Sequence, residues 1–318
     1  MQRPEELFQR YIWLVNTLLS SSNGITFEEL QRKWVSSSVG DGSPLPRATF
    51  NRHREVIEGM LGISIECDKH NRSVYKISDP SILRTNNIQS WMLRTLTVGN
   101  VLQNGLGMHE RILLEEMPMG QEHLQTILDA MSHGHTLCID YAKSYRTVSS
   151  IEIEPYCLKV FRQRWYLLAH NLLYAKDDLR VYSLDRISHL EESEHEFHLP
   201  ADFDAAQYFQ NDFGVFTGGN AEIETIVIHA FGRLPDYLRS LPLHPSQQEI
   251  YATPNYVEFR YRLRPTYDFR QELLSQADEL EVISPQSFRE EFSAVLNRAA
   301  KRHKSKASTK TIKQEQND

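Results

Sequence analysis

Leu179-Arg180-Val181-Tyr182-Ser183-Leu184-Asp185-Arg186-Ile187 decides how this chain is read, with the two runs before it, Ile153-Glu154-Pro155-Tyr156-Cys157-Leu158-Lys159-Val160 and Arg164-Trp165-Tyr166-Leu167-Leu168-Ala169-His170. Each run is short, rich in β-branched and aromatic residues, and broken by polar turns. That pattern predicts several strands spaced for a small barrel or sandwich. Period two along the first-quoted run puts Arg180, Tyr182, Leu184 and Arg186 on one side. Two planar donor forks suited to phosphate then share a face with a ring on which a base can stack. Six strand residues cover roughly 20 Å, so the pair suits a nucleotide with several phosphates or a short nucleic-acid chain. The bland alternative pairs Arg186 with Asp185 or a neighbouring carboxylate and gives it only a shaping role.

These runs resemble the WYL-domain transcriptional regulators. Trp165-Tyr166-Leu167 matches the tripeptide that names the family, Arg180-x-Tyr182-x-Leu184-Asp185-Arg186-Ile187 its following strand, and Pro155-Tyr156-x-Leu158 its Pro-x-x-Leu. The resemblance implies an Sm/SH3-like β-barrel over 132–200 that senses a nucleotide or short single-stranded nucleic acid. Tyr141, Tyr156, Trp165, Arg180, Tyr182 and Arg186 are its expected ligand contacts. The family often has an arginine where this chain has Ile151, which removes one possible phosphate contact. The resemblance further implies an N-terminal winged helix-turn-helix, a C-terminal extension domain, a homodimer on an operator, and a setting in phage-defence operons.

The 318 residues suffice for two or three domains. A hydrophobic share of 40% and a charged share of 24% describe an ordinary soluble protein. No apolar run approaches the roughly 20 residues that span a bilayer, and the first residues lack the apolar core of a signal peptide. Cys67, Cys138 and Cys157 form no Cys-x-x-Cys pair, which predicts reduced thiols in a cytoplasm. The net charge of −7 speaks against nucleic acid unless the basic groups are clustered.

They are clustered. Phe8, Tyr11, Ile12, Val15, Leu18 and Leu19 form the stripe of a first helix. Thr26-Phe27-Glu28-Glu29 reads as a capping box opening a second, and Pro46 suits the first turn of a third, to about Met60. Two strand-like runs follow, Ile63–Cys67 and Ser73–Ile77. Three helices and a hairpin over 1–80 are the order of a winged helix-turn-helix, whose third helix enters the major groove. Residues 1–80 hold ten Lys/Arg and ten Asp/Glu, yet Arg47 to Arg54 holds three arginines, a histidine and no acid. The expected DNA contacts are Arg47, Thr49, Asn51, Arg52, His53 and Arg54 on the helix, with Lys69 and Arg72 on phosphates at the wing. The alternative is a solvated helix face.

Residues 81–131 read as a helical linker or dimerisation segment. Ile88, Trp91, Met92, Thr95 and Leu96 mark its first helix, Leu113, Leu114 and Met117 a second, and Leu124, Ile127, Leu128 and Met131 a third. Glu191 to Asp212 is acidic with little period and reads as a linker. Residues 220–302 read as a small α+β sandwich, in which Val257, Phe259, Tyr261 and Leu263 alternate against a polar face. Residues 303–318 read as a disordered basic tail. The fold class is therefore α+β and multidomain.

No phosphate loop, nucleophile elbow or His-Glu-x-x-His motif occurs, and no enzyme is expected. Glu152 and Glu154 share a strand face, either for acid–base work or as the wet side of an edge strand. His133/His135 and His195/His198 have no cysteine or acid at zinc-like spacing, so neither a metal nor another cofactor is expected. The leading reading is a DNA-binding transcriptional regulator. The alternative is a nucleic-acid-processing or accessory factor that the winged helix only docks on DNA.

Overall fold

The computed structural model describes residues 4–304 apart from 22, 38, 41, 70–71, 82–87, 105–110, 112, 114–119, 144–145, 176–177 and 219–220. Leu114 and Met117 of the expected second linker helix, and the tail from 305 onward, lie outside the described residues. The chain divides into two compact units, Met1–Glu115 and Glu116–Asp318. Its architecture is α+β, built on three antiparallel sheets among the described residues. No helix among those residues is long and apolar enough to cross a membrane.

The first unit runs α1 (Pro4–Leu19), β1 (Ile25–Thr26), α2 (Phe27–Val35), α3 (Arg47–Leu61), β2 (Ile65–Asp68), β3 (Val74–Ile77) and α4 (Ile88–Asn104). The capping box forms: Glu29 N donates to Thr26 Oγ1 at 3.2 Å, and Thr26 N donates to the Glu29 carboxylate at 3.1 Å. Gly62, at φ 62°, ends α3 in the left-handed region that favours glycine. The sheet order is β1-β3-β2, with Tyr75 opposite both Ile25 and Cys67. Strand β1 has two residues, too few to show a period. Phe50 meets Phe27 and Tyr75 edge-on at 5.5 and 4.8 Å in the core.

Two expectations for this unit are corrected. In α4 the inward face is Ser90, Leu93 and Thr97, and Asn16 Nδ2 donates to Thr97 Oγ1 at 3.2 Å. Ile88 and Trp91 of the predicted stripe are instead 69% and 47% exposed. His53 is not a DNA contact, because Phe50, His53, Ile57 and Leu61 fall three and four apart and form the buried face of α3. Its ring meets Tyr11 edge-on at 5.1 Å.

The second unit opens with a 3-10 turn, Gln121–His123, and α5 (Leu124–His133). Strands β4 (His135–Lys143), β5 (Arg146–Phe161), β6 (Arg164–Asn171), β7 (Leu179–Ser183) and β8 (Ile187–Glu196) follow, in the antiparallel order β7-β6-β5-β4-β8. Helix α5, expected in the linker, packs on this sheet instead: Ile127 and Ala130 are fully buried with Leu137, Ile153 and Leu167. The strand expected from Leu179 to Ile187 is interrupted, since Leu184–Arg186 form a 3-10 turn between β7 and β8. The linker expected from Glu191 begins only after Glu196, because β8 continues as an edge strand whose side chains are mostly wet. Strand β5 is central, so Glu152 and Glu154 are not on an edge. They accept hydrogen bonds from His195 Nδ1 at 2.6 Å and His170 Nδ1 at 2.9 Å.

The remainder of the unit is α6 (Ala205–Phe209), β9 (Glu224–Ala230), α7 (Leu234–Ser240), β10 (Gln248–Ala252), β11 (Val257–Leu263), α8 (Tyr267–Leu274), β12 (Leu280–Ser284) and α9 (Gln286–Lys304). The sheet order is β10-β11-β9-β12. Val257, Phe259, Tyr261 and Leu263 are buried as the alternation predicts, against Phe269, Phe288 and Phe292 of the helices.

Both ring nitrogens of His53 lack a hydrogen-bond partner among the described residues, and burial, assisted by nearby Arg52 and Arg10, lowers its pKa from 6.5 to about 4. An unfolded chain takes up this proton below about pH 6.5 and the folded chain only near 4. The unfolded state therefore binds more protons in that window, and the first unit loses stability as pH falls through it. His53→Leu should fold and lose this part of the slope. Denaturant unfolding followed by tryptophan fluorescence at pH 7 and pH 5 reads it, and an equal slope in the variant would contradict the assignment.

Candidate functional site

A cavity of about 430 Å³ in the second unit collects the side chains singled out on the WYL-like runs. Tyr141 at the end of β4, Ile151 of β5, Arg180 and Tyr182 of β7, and Arg186 of the 3-10 turn line it. Asn171 at the end of β6, with Leu173 and Tyr174 beyond it, adds a second wall, and Val215, Phe216 and Thr217 a third. None of the described lining residues is an acid. Four aromatic rings and two guanidiniums face one space.

Each arginine is held on a ring. The Arg180 guanidinium lies 3.5 Å from the centre of Tyr174, and one of its terminal nitrogens donates to Asp178 at 2.7 Å. That bond holds its pKa above the ordinary arginine value, and its Nε is buried without a partner. Arg186 Nε donates to the Ala142 carbonyl at 2.8 Å, and its guanidinium sits 5.1 Å from the Tyr141 ring centre. No carboxylate pairs with Arg186 among the described residues. Asp185 instead accepts from Ser183 Oγ and lies 3.8 Å from Arg164. Asp185 and Arg186 are therefore not paired with each other.

The turn that aims Arg186 is backed by Gly120, at φ 107°, where an added Cβ would stand 2.6 Å from Asp185 N. His123 Nε2 lies 3.0 Å from the carbonyl oxygen of Ile187, the residue that follows the turn. Tyr141 and Tyr182 meet edge-on at 5.0 Å. Tyr182, its hydroxyl pKa raised by burial, accepts from Asn171 Nδ2 at 3.0 Å.

Two expected contacts lie elsewhere. Trp165 faces the sheet interior on β6 with Leu167 and Ala169, outside the cavity. Tyr156 points to the opposite face of β5, stacked on Phe197 and edge-on to Phe203 at 5.0 Å. It borders a cavity of about 530 Å³ with Asp202, Asp204 and Asp212, an acidic lining unsuited to a polyanion. Tyr174, Phe216 and Thr217 were not foreseen, because they lie on irregular segments that carry no period.

The predicted DNA-contacting residues lie in the first unit. Arg47 and Arg52 of α3 are exposed, and Thr49, Asn51 and Arg54 are half-buried. Arg47 rests over the Phe27 ring at 4.6 Å. Arg54 Nε is 3.8 Å from the Glu58 carboxylate, one helical turn on. Lys69 and Arg72 are exposed in the segment joining β2 to β3, with Arg72 at φ 51°.

Residues 122–192 match the family model of the WYL domain. The chain carries a WYL domain. That match takes in α5, in agreement with the packing of Ile127 and Ala130 on the sheet. Among solved structures, proteasome accessory factor B/C (PafBC) of Arthrobacter aurescens aligns with 95% of this chain at 18% identity and a TM-score of 0.40. The chain spans about half of that protein, 48% of its length. A CRISPR Cas-related protein aligns with 94% of this chain and 84% of its own, at 14% identity and a TM-score of 0.38. No curated protein matches the sequence.

Removing the Tyr182 hydroxyl strands a buried donor on Asn171. Tyr182→Phe should therefore lose about 1–3 kcal/mol of stability, read as a lower denaturant midpoint with unchanged slope. An unshifted midpoint would show that Asn171 is satisfied otherwise.

Proposed function

We propose that the chain is a DNA-binding transcriptional regulator whose WYL domain senses an anionic ligand, a nucleotide or a short single-stranded nucleic acid. The observation that carries this reading is the cavity with Arg180, Arg186, four aromatic rings and no acid among its described lining residues. Guanidinium forks bind phosphate, and the rings stack bases without regard to sequence. Ile151, where the resembling family often has an arginine, gives the ligand an apolar wall rather than a third cation.

The five strands with a 3-10 turn before the last support a small Sm/SH3-like barrel. In the first unit, three helices followed by the β2–β3 hairpin support a winged helix-turn-helix with α3 as the reading element. Arg47 and Arg52 are its exposed cations, with Lys69 and Arg72 on the hairpin side. The exposed stripe Ile88, Trp91, Thr95 and Val98 of α4 supports a homodimer through that helix. All three cysteines are free, in keeping with the cytoplasm. Ligand and operator are coupled by the ligand's differential affinity for two arrangements of the dimer. The regulator performs no turnover, and its resemblance to WYL regulators supports a target among phage-defence operons.

The test is a gel-shift on the DNA upstream of the protein's own gene, with and without added nucleotides and oligonucleotides. Arg52→Ala should weaken specific binding by about 1–3 kcal/mol and leave the oligomer intact on size exclusion. Full retention of binding by that variant would overturn the DNA reading. Arg180→Ala combined with Arg186→Ala should bind the same DNA without responding to the ligand. An unaltered response would exclude the cavity as the sensor.

A further inference from the structure

We propose that His133, His135 and Glu192 form a binding site for a divalent transition-metal cation of the zinc class on the outer surface of the WYL domain. His133 is the last residue of α5 and His135 the first of β4. Between them Gly134, at φ 72°, reverses the chain, and its carbonyl accepts from Phe197 N at 2.7 Å. Both imidazoles are thereby turned to one side. Glu192 reaches them from β8, opposite Leu137, where the β4–β8 ladder is irregular between His135 and Leu137.

The donor atoms converge. His133 Nδ1 and His135 Nδ1 lie 2.7 and 2.6 Å from the same Glu192 carboxylate oxygen. All three ligand atoms are within 4.8 Å of one another. Tetrahedral zinc with bonds of about 2.0–2.1 Å holds its donors roughly 3.3 Å apart. The two His–Glu192 separations need to open by less than about 1 Å to admit it. The cation displaces each Nδ1 proton, a neutral ring then carrying its proton on Nε2 and an imidazolium losing one proton to solvent.

The donor set decides the class of ion. Two imidazoles and one carboxylate without a thiolate suit zinc, nickel or copper, whereas magnesium and calcium call for oxygen alone. The His133 side chain is 57% exposed, which leaves an open side for a water as fourth ligand. The cation would clip the end of α5 to the edge strand β8. On the same strand, His195 donates to Glu152 at 2.6 Å and belongs to no convergent group of three such ligands among the described residues. It serves as an internal control.

The test is calorimetric titration of the full chain, first stripped with a chelator, with zinc chloride and separately with magnesium chloride. One saturable zinc site per chain is expected, with no magnesium binding. His133→Ala, His135→Ala and Glu192→Gln should each weaken zinc binding tenfold or more, and His195→Ala should leave it unchanged. Zinc should also raise the melting temperature of the parent and of His195→Ala, but not of His133→Ala. No saturable zinc binding would overturn the proposal and leave a hydrogen-bonded His–Glu–His cluster. Equal loss in His195→Ala and His133→Ala would also overturn it, showing a diffuse histidine surface.

Discussion

Arg186 reaches the cavity because β7 stops at Ser183. Had the strand run on, the side chains at 180 and 186 would stand roughly 20 Å apart and could not grip one phosphate. The 3-10 turn over Leu184–Arg186 folds that distance back on itself. Gly120 leaves room behind the turn, and the Ala142 carbonyl holds the guanidinium in front. The convergence of cations thus rests on a local break in regular structure, and the rest of the site is arranged around it.

Two like charges facing one cavity repel, and the protein limits the cost differently for each. Arg180 is paired with Asp178 and stacked on Tyr174. Arg186 takes a backbone carbonyl and the face of Tyr141. Ring quadrupoles and a carbonyl dipole stabilise a cation without neutralising it. The cavity therefore holds positive charge between largely apolar walls. Asp185, the nearest acid in sequence, is drawn off by Ser183 and Arg164.

The same economy of polar groups recurs in the first unit with the opposite result. Arg52 and His53 are neighbours in the sequence, and one points to solvent while the other is sealed against Tyr11. A buried imidazole with no partner is tolerated because the neutral form costs far less to desolvate than the cation. The helix period alone separates a candidate base reader from a core residue, and residue type is a poor guide between them.

The α+β class, the first three helices, the central strands and β11 were legible because each buries one face, so hydrophobicity repeats at the period of the element. The WYL tripeptide and its flanking blocks were legible as wording. What escaped were elements without a dry face or without length: β1 with two residues, β10 with every side chain exposed, and the end of β8. An edge strand is held by backbone hydrogen bonds, which leave no trace in side-chain pattern. The sequence by itself determined which residues carry charge, rings and imidazoles, and on which face of a regular element each lies. Only the tertiary structure decided which of them meet, bringing Phe216 to Arg180 and Glu192 to His133, because those meetings depend on turns and strand pairings between segments that share no common period.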